Sequence, residues 1–218
     1  MKRKLLLLFT MLALVCAISV VAKADTATFD LTRSNGGVQP PAPSYGTVTL
    51  TLNGSTISVD VEAAAGYAIF GAGGGGGEAF GFNVDPTFSS IDISNLSAGF
   101  SVGPTTTQFD GFGNFDYSIH DGTPPNAHTS LTFDVTSATL GSDFTTVYDL
   151  VVLTTGGNPA HFSAHVTPWN DGSNACPGVS PCTGYVADGP PVPEPGTLTL
   201  LGTGLIGLAG IIRRRLSV

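Results

Sequence analysis

Between Tyr45 and Glu62 the chain alternates twice about an Asn-Gly pair, and no other stretch constrains the fold as tightly. Val48, Leu50 and Leu52 are separated by threonines, Asn53-Gly54 follows, and Ile57, Val59 and Val61 then alternate with polar residues. A period of two is that of a half-buried strand, and Asn-Gly supplies the positive φ angles of a type I′ turn, so the stretch predicts an antiparallel hairpin. With Asn53 and Gly54 as the turn, Leu50 faces Ile57 and Val48 faces Val59 on a buried face, and Thr49 and Ser58 lie on the other.

The surrounding sequence is rich in Gly, Thr, Ser, Val and Phe, has little 3.6-residue periodicity, and is broken by Asn-Gly, Asp-Gly and Pro-containing turns. This is the pattern of an all-β protein, and we expect an antiparallel β-sandwich. Further strands are expected at Ala79-Phe80-Gly81-Phe82, Ile91–Leu96, Gly99–Val102, Phe112–Ile119 and Leu131–Val135, while Phe144–Leu153 reads equally as a short helix or a strand. His161–Val166 reads as a strand with Phe162, Ala164 and Val166 inward and His161, Ser163 and His165 on its outer, solvent-facing side. Gly71–Gly77, six glycines around one alanine, lacks the Lys-Ser/Thr and following helix of a phosphate loop and reads as a connection between strands.

Both ends differ from this middle. Lys2-Arg3-Lys4, an apolar run from Leu5 to Val21, and Ala22-Lys23-Ala24 have the three-part form of a signal peptide cut before Asp25. Cys16 follows Val15 where a lipobox has a small residue, so it reads as part of the removed peptide. At the other end Val192-Pro193-Glu194-Pro195 precedes an uncharged apolar run, Thr197–Ile212, and then Arg213-Arg214-Arg215. The 16 residues of that run reach about 24 Å as a helix against roughly 30 Å of hydrocarbon, which makes a short transmembrane helix. The prolines hold an extended approach on the exported side, and the arginines act as a cytoplasmic stop. The chain thus divides into residues 1–24 (signal peptide), 25–190 (exported β-sandwich domain) and 191–218 (motif, transmembrane helix, arginine cluster).

The order of these C-terminal parts resembles the PEP-CTERM protein-sorting signal of bacteria that make exopolysaccharide. The resemblance implies an exosortase-like membrane transpeptidase as partner, cutting near Val192–Pro195, a membrane-associated precursor delivered to the cell envelope or beyond, and exopolysaccharide as a neighbour. Ala79-Phe-Gly-Phe-Asn83, Asp110-Gly-Phe-Gly-Asn-Phe-Asp116 and Cys182-Thr-Gly-Tyr-Val186 are similar to segments of other ectodomains carrying this signal. The resemblance transfers an address and no chemistry.

Charge and motifs narrow the function of the middle. Of the eight basic residues, Lys2, Arg3, Lys4, Lys23 and Arg213–Arg215 sit in the ends, leaving Arg33 against 15 of the 16 acidic residues, so the exported part carries 1 − 15 = −14. A field of that sign excludes direct nucleic-acid binding. Gly99-Phe100-Ser101-Val102-Gly103 matches the nucleophile-elbow spacing, but Pro104 and three threonines follow where a helix is needed, and Ser101 reads as a strand residue. His161 and His165 are four apart, which on a strand separates them by about 13 Å, too far to share a metal ion. Asp110, Asn114, Asp116, Asp121 and Asp171 lie near turns and are the residues to weigh for calcium, although none sits in a recognised loop. We therefore single out no catalytic residue, metal ligand or cofactor. Cys176 and Cys182 flank a Pro-Gly turn in an exported domain and read as a disulfide, worth about 2.4 kcal/mol of loop entropy. The leading expectation is a structural or matrix-associated exported protein; the alternative is a carbohydrate-binding module or a hydrolase using surface carboxylates. A cleft gathering aromatics, among them the single Trp, Trp169, beside convergent carboxylates would favour the alternative.

Overall fold

Alternation in the middle of the chain becomes antiparallel sheet. A computed structural model describes residues 26–38, 42–71, 77–122, 127–170, 173–174 and 183–189. In order, its strands are β1 (Thr26–Ser34), β2 (Gly46–Asn53), β3 (Thr56–Ala63), β4 (Tyr67–Ile69), β5 (Glu78–Phe82), β6 (Ile91–Ser94), β7 (Phe100–Val102), β8 (Thr107–Phe109), β9 (Gly113–Phe115), β10 (Tyr117–Asp121), β11 (Ser130–Ser137), β12 (Phe162–Asn170), β13 (Ser173–Asn174) and β14 (Gly184–Asp188). Within Phe144–Leu153 the structure chooses a short 3-10 helix, Val147–Leu150, because Thr146 and Asp149 close a capping box around its first turn.

β2 and β3 form the predicted hairpin, in a register two residues from the expected one. Val48 faces Val61, Leu50 faces Val59, and Asn53, expected in the turn, pairs with Thr56. The turn residues are Gly54 and Ser55; Gly54, at the first central position, has a φ of 65°, the demand of a type II′ turn. Keeping Asn53 in the ladder sets Leu52 opposite Ile57, an apolar pair that the expected register lacks. Because the displacement is two residues, no side chain changes face, and Val48, Leu50, Ile57, Val59 and Val61 are all buried.

The main sheet runs β6-β11-β3-β2-β1-β14-β12-β5-β10-β7, with β4 and β13 beside β12. β1 divides itself between two partners: Thr26–Asp30 pairs with β2, and Leu31–Ser34 pairs with β14, with an irregularity between Leu31 and Arg33. At such a break a strand can leave one layer and enter another. The sheet consequently folds back over its apolar face, and Phe133 of β11 meets Phe80 and Phe82 of β5 at ring distances of 6.0 and 5.4 Å. On the far side Ile69 of β4 bridges to His128, just ahead of β11, so the sheet is nearly closed and barrel-like. The expected all-β fold is present, but what was read as two sheets of a sandwich is one continuous sheet bent at β1.

The two limbs are covered differently. In the first limb (β6, β11, β3, β2 and the start of β1), rungs such as Ala27–Leu50–Val59–Phe133 face inward and rungs such as Thr28–Thr49–Asp60–Thr132 face out. In the second limb (the end of β1, β14, β12, β5, β10 and β7), the outer face carries a small core of its own. Phe109, Phe112 and Phe115, on and between β8 and β9, pack there with Ala160, Ala187 and Tyr185. The expected strand Phe112–Ile119 is therefore two, divided at Asp116, whose amide donates to Asn83 Oδ1 at 2.8 Å: β9 joins the cover and β10 joins the sheet. Gly81 allows the cover to sit down, since a Cβ there would lie 2.7 Å from the Phe109 ring and 2.9 Å from that of Phe115.

Candidate functional site

The sorting-motif residues Val192–Pro195, the arginines 213–215, the cleavage-site residues Ala22, Ala24 and Asp25, Asp171, and the cysteines Cys176 and Cys182 all lie outside the described residues. So does the expected transmembrane segment; among the described residues no helix is long and apolar enough to cross a membrane. What the structure does place is the strand that leads into the motif. β14 ends at Asp188, one residue before the last described residue, Gly189.

Asp188 is buried and saturated. Its carboxylate accepts from the backbone amides of His161 and Phe162 at 2.9 and 3.0 Å and from His161 Nδ1 at 2.6 Å. Its carbonyl accepts from Arg33 Nε at 2.6 Å, while Arg33 Nη2 donates to Pro159 O at 2.8 Å and the guanidinium lies over the Phe112 ring. A carboxylate can only accept here, so Nδ1 carries the hydrogen. The expectation that His161 and His165 stand in solvent is corrected: they are only 7% and 6% exposed. His165 is on the outer face of β12 opposite Tyr185, whose ring packs against Phe109 of the cover, whereas His161, just ahead of β12, turns to Asp188, which lies opposite the core residue Leu31, and its ring is 6.1 Å from that of Phe29. His165 Nδ1 donates to Phe70 O at 2.6 Å, and its ring lies 4.9 Å from that of Tyr185. Burial holds the His165 imidazole below its usual pKa, against the opposing pull of the Phe70 carbonyl and the Glu78 carboxylate. Burial pushes the Tyr185 phenol well up, and Glu78, to which its hydroxyl donates at 3.4 Å, adds to the shift.

The remaining candidates are dispersed. Ser101 lies on β7 opposite His120, whereas Asp121 lies opposite Phe100, so Ser101 and the Asp121–His128 pair occupy opposite faces of the sheet. Asp121 is buried, accepting from Gly71 N at 3.2 Å and from His128 Nε2 at 3.3 Å. That removes it from Asp110, Asn114 and Asp116, which belong to the β8–β9 cover. Among the described residues no three His, Cys, Asp or Glu side chains gather so as to hold a metal ion.

One depression, of about 430 Å³, opens on the polar face of the first limb, lined by Thr49, Thr51, Ser58, Asp60, Asn95 and Asp134 among others. Asp134 is committed on both oxygens, accepting from Ser58 Oγ at 2.6 Å and Asn95 Nδ2 at 2.7 Å. Asp60 Oδ1 is buried without a hydrogen-bond partner. Phe133 also borders this depression but is only 2% exposed, its ring turned to the core. Sequence reasoning placed Thr49 and Ser58 on this face and missed the depression, which needs β11 beside β3.

In comparison with known proteins, residues 191–215 match the family described as PEP-CTERM protein-sorting motif. No curated protein and no solved structure matches the chain.

Proposed function

From the premise that this chain carries a PEP-CTERM protein-sorting motif, which implies exosortase-dependent sorting of an exported protein toward the cell envelope or extracellular space, we propose that its β domain has a structural, matrix-associated role without catalysis or cofactor. The motif match carries the sorting half of this reading. The ectodomain half is supported by where the aromatic side chains lie: eight phenylalanines are fully buried, and the depression on the first limb offers hydroxyls, two amides and carboxylates without a ring for a sugar to stack on. Such a surface is hydrated and acidic, suited to contact a matrix through many weak hydrogen bonds.

A second reading, glycan binding, is favoured by the same mixture of donors and acceptors around Asp60 and Asp134. Titration with neutral and anionic oligosaccharides, followed by chemical-shift changes at Thr49, Thr51 and Thr132, separates the two: saturable shifts confined to these residues establish glycan binding and displace the purely structural role. The sorting half is tested by replacing Pro193-Glu194-Pro195 with alanines. A membrane-bound full-length precursor should accumulate in a host with an exosortase, and normal processing of this variant would refute the reading.

A further inference from the structure

β14 is the last described strand before the sorting motif, and it is held between β1, the strand the two limbs share, on one side and β12 on the other. Its hold on the fold extends to its final residue. Val186 O accepts from Ser163 Oγ at 2.9 Å, Asp188 is saturated by His161, Phe162 and Arg33, and even the Gly189 amide reaches Asp30 O at 3.4 Å. Pro193 therefore follows Asp188 by only five residues. A fully extended chain spans at most about 3.5 Å per residue, so the motif begins within about 17 Å of Asp188. A folded domain of about 165 residues is roughly 40 Å across. A tether under half that length cannot carry the motif clear of the domain.

We infer that the rim where β14 ends, formed by the exposed residues Asp30 and Thr32 of β1 and Asn158 and Pro159 ahead of β12, is a docking surface for the membrane enzyme that processes the motif. The inference rests on the exosortase reading above. Chain length fixes the partner: whatever holds Pro193–Pro195 while the domain is folded must lie against this rim. Thr32 stands beside the exit, since a Cβ on Gly189 would lie 2.9 Å from its hydroxyl, and Pro159 is tied to the same place through Arg33. Arg33 is spent on Asp188 O and Pro159 O, so the exposed charge of the rim is that of Asp30, which fits a neutral or basic surface on the enzyme.

The test is a pulse-chase of the whole chain in a host with an exosortase, comparing wild type, Asp30→Arg/Thr32→Arg, an insertion of about ten Gly/Ser residues after Gly189, which adds about 17 Å on average, and the two combined. The rim variant should mature about tenfold more slowly, as expected when a reacting peptide is held several ångströms out of place. With the insertion present, the rim substitutions should lose their effect, because the longer tether lets the motif reach the enzyme without the domain. Wild-type maturation of the rim variant, or a delay that persists behind the insertion, would overturn the docking surface. Asn158→Arg serves as the second rim variant where thermal melts show the double variant unfolded. The Pro193-Glu194-Pro195 alanine variant, run alongside, identifies the other failure: if it matures normally, the sorting reading itself is wrong and the rim falls with it.

Discussion

The two limbs of the sheet share a strand and a core but treat their outer faces oppositely. On the first limb the outward rungs, among them Thr26–Thr51–Ser58–Asp134–Ser94, meet solvent. On the second, the outward positions of β12 include Ser163 and His165, residues no less polar, and both are buried, lying opposite Ala187 and Tyr185, which pack with the β8–β9 cover. Polarity along a strand thus reports which way a side chain points and not whether anything lies over it. Polar groups on the first limb's outer face are open to water, whereas those on the second must find partners inside the protein: Ser163 Oγ donates to Val186 O and His165 Nδ1 to Phe70 O. Asp188, on the inner side opposite Leu31, meets the same demand with three donors.

Asp188→Ala should produce the largest effect, because it strands three buried donors, one of them an imidazole: we expect a loss of about 3–5 kcal/mol in urea unfolding. Its counterpart on the first limb, Asp134→Ala, releases Ser58 and Asn95 to water and should cost about 1 kcal/mol or less. Equal losses from the two would break the contrast between a buried, saturated carboxylate and one on the open face.

Gly81→Val comes next. Its side chain would meet the rings of Phe109 and Phe115 at under 3 Å, so the β8–β9 cover must lift, at a cost of about 1–3 kcal/mol. Thermal unfolding measures the loss, and tryptic cleavage after Arg33, which lies against Phe112 of the cover, should become faster in the variant. An unchanged melting temperature would mean that the cover is not seated as described.

The third test uses pH. Burial keeps His165 neutral in the folded state, with its pKa below the ordinary 6.5, so on acidification the unfolded chain takes up this proton first. Stability contributed by neutral His165 is therefore complete above pH 6.5 and is lost as pH falls from there toward the lowered folded pKa. Unfolding free energies measured on either side of pH 6.5 should show the decline, and His165→Gln should flatten that part of the curve; a wild-type curve that rises on acidification would contradict the buried assignment. Smallest of all should be Asp60→Asn on the open face. Asp60 Oδ1 has no partner to lose, and the change in stability should stay within about 0.5 kcal/mol. A loss of several times that would show that Asp60 is held in an interaction beyond its unpartnered Oδ1.

Legibility followed the period of two. The β2–β3 hairpin, the strands around Ile91, Leu131 and Phe162, and the inward set of each were readable because alternation is imposed by local geometry and one apolar face. The hairpin register was misread by two residues because Asn-Gly can form the turn or leave Asn53 in the ladder, and the choice was made by the Leu52–Ile57 contact across the strands. β1 was not foreseen, although Thr26-Ala-Thr-Phe-Asp-Leu-Thr32 alternates and could have revealed it. β14 has no such signal: Gly184-Tyr-Val-Ala-Asp188 shows no alternation in which every second residue is polar, since it is covered on both faces. The Asp188 site was correspondingly invisible, its members Arg33, His161 and Asp188 being drawn together from three distant strands or their flanks.

By itself the amino-acid sequence determined the address and the fold class. The motif at 191–215 is a contiguous signal whose parts act through their order along the chain, and the alternation of Val, Leu and Ile with Thr and Ser demands sheet wherever it occurs. Only the tertiary structure decided which polar face would be dry, which carboxylate would be saturated, and that the strand leading into the motif would be held between β12 and the strand the two limbs share. Those outcomes depend on contacts between residues as far apart as Arg33 and Asp188, and the cost of burying a polar group is not settled until the chain has chosen what lies over it.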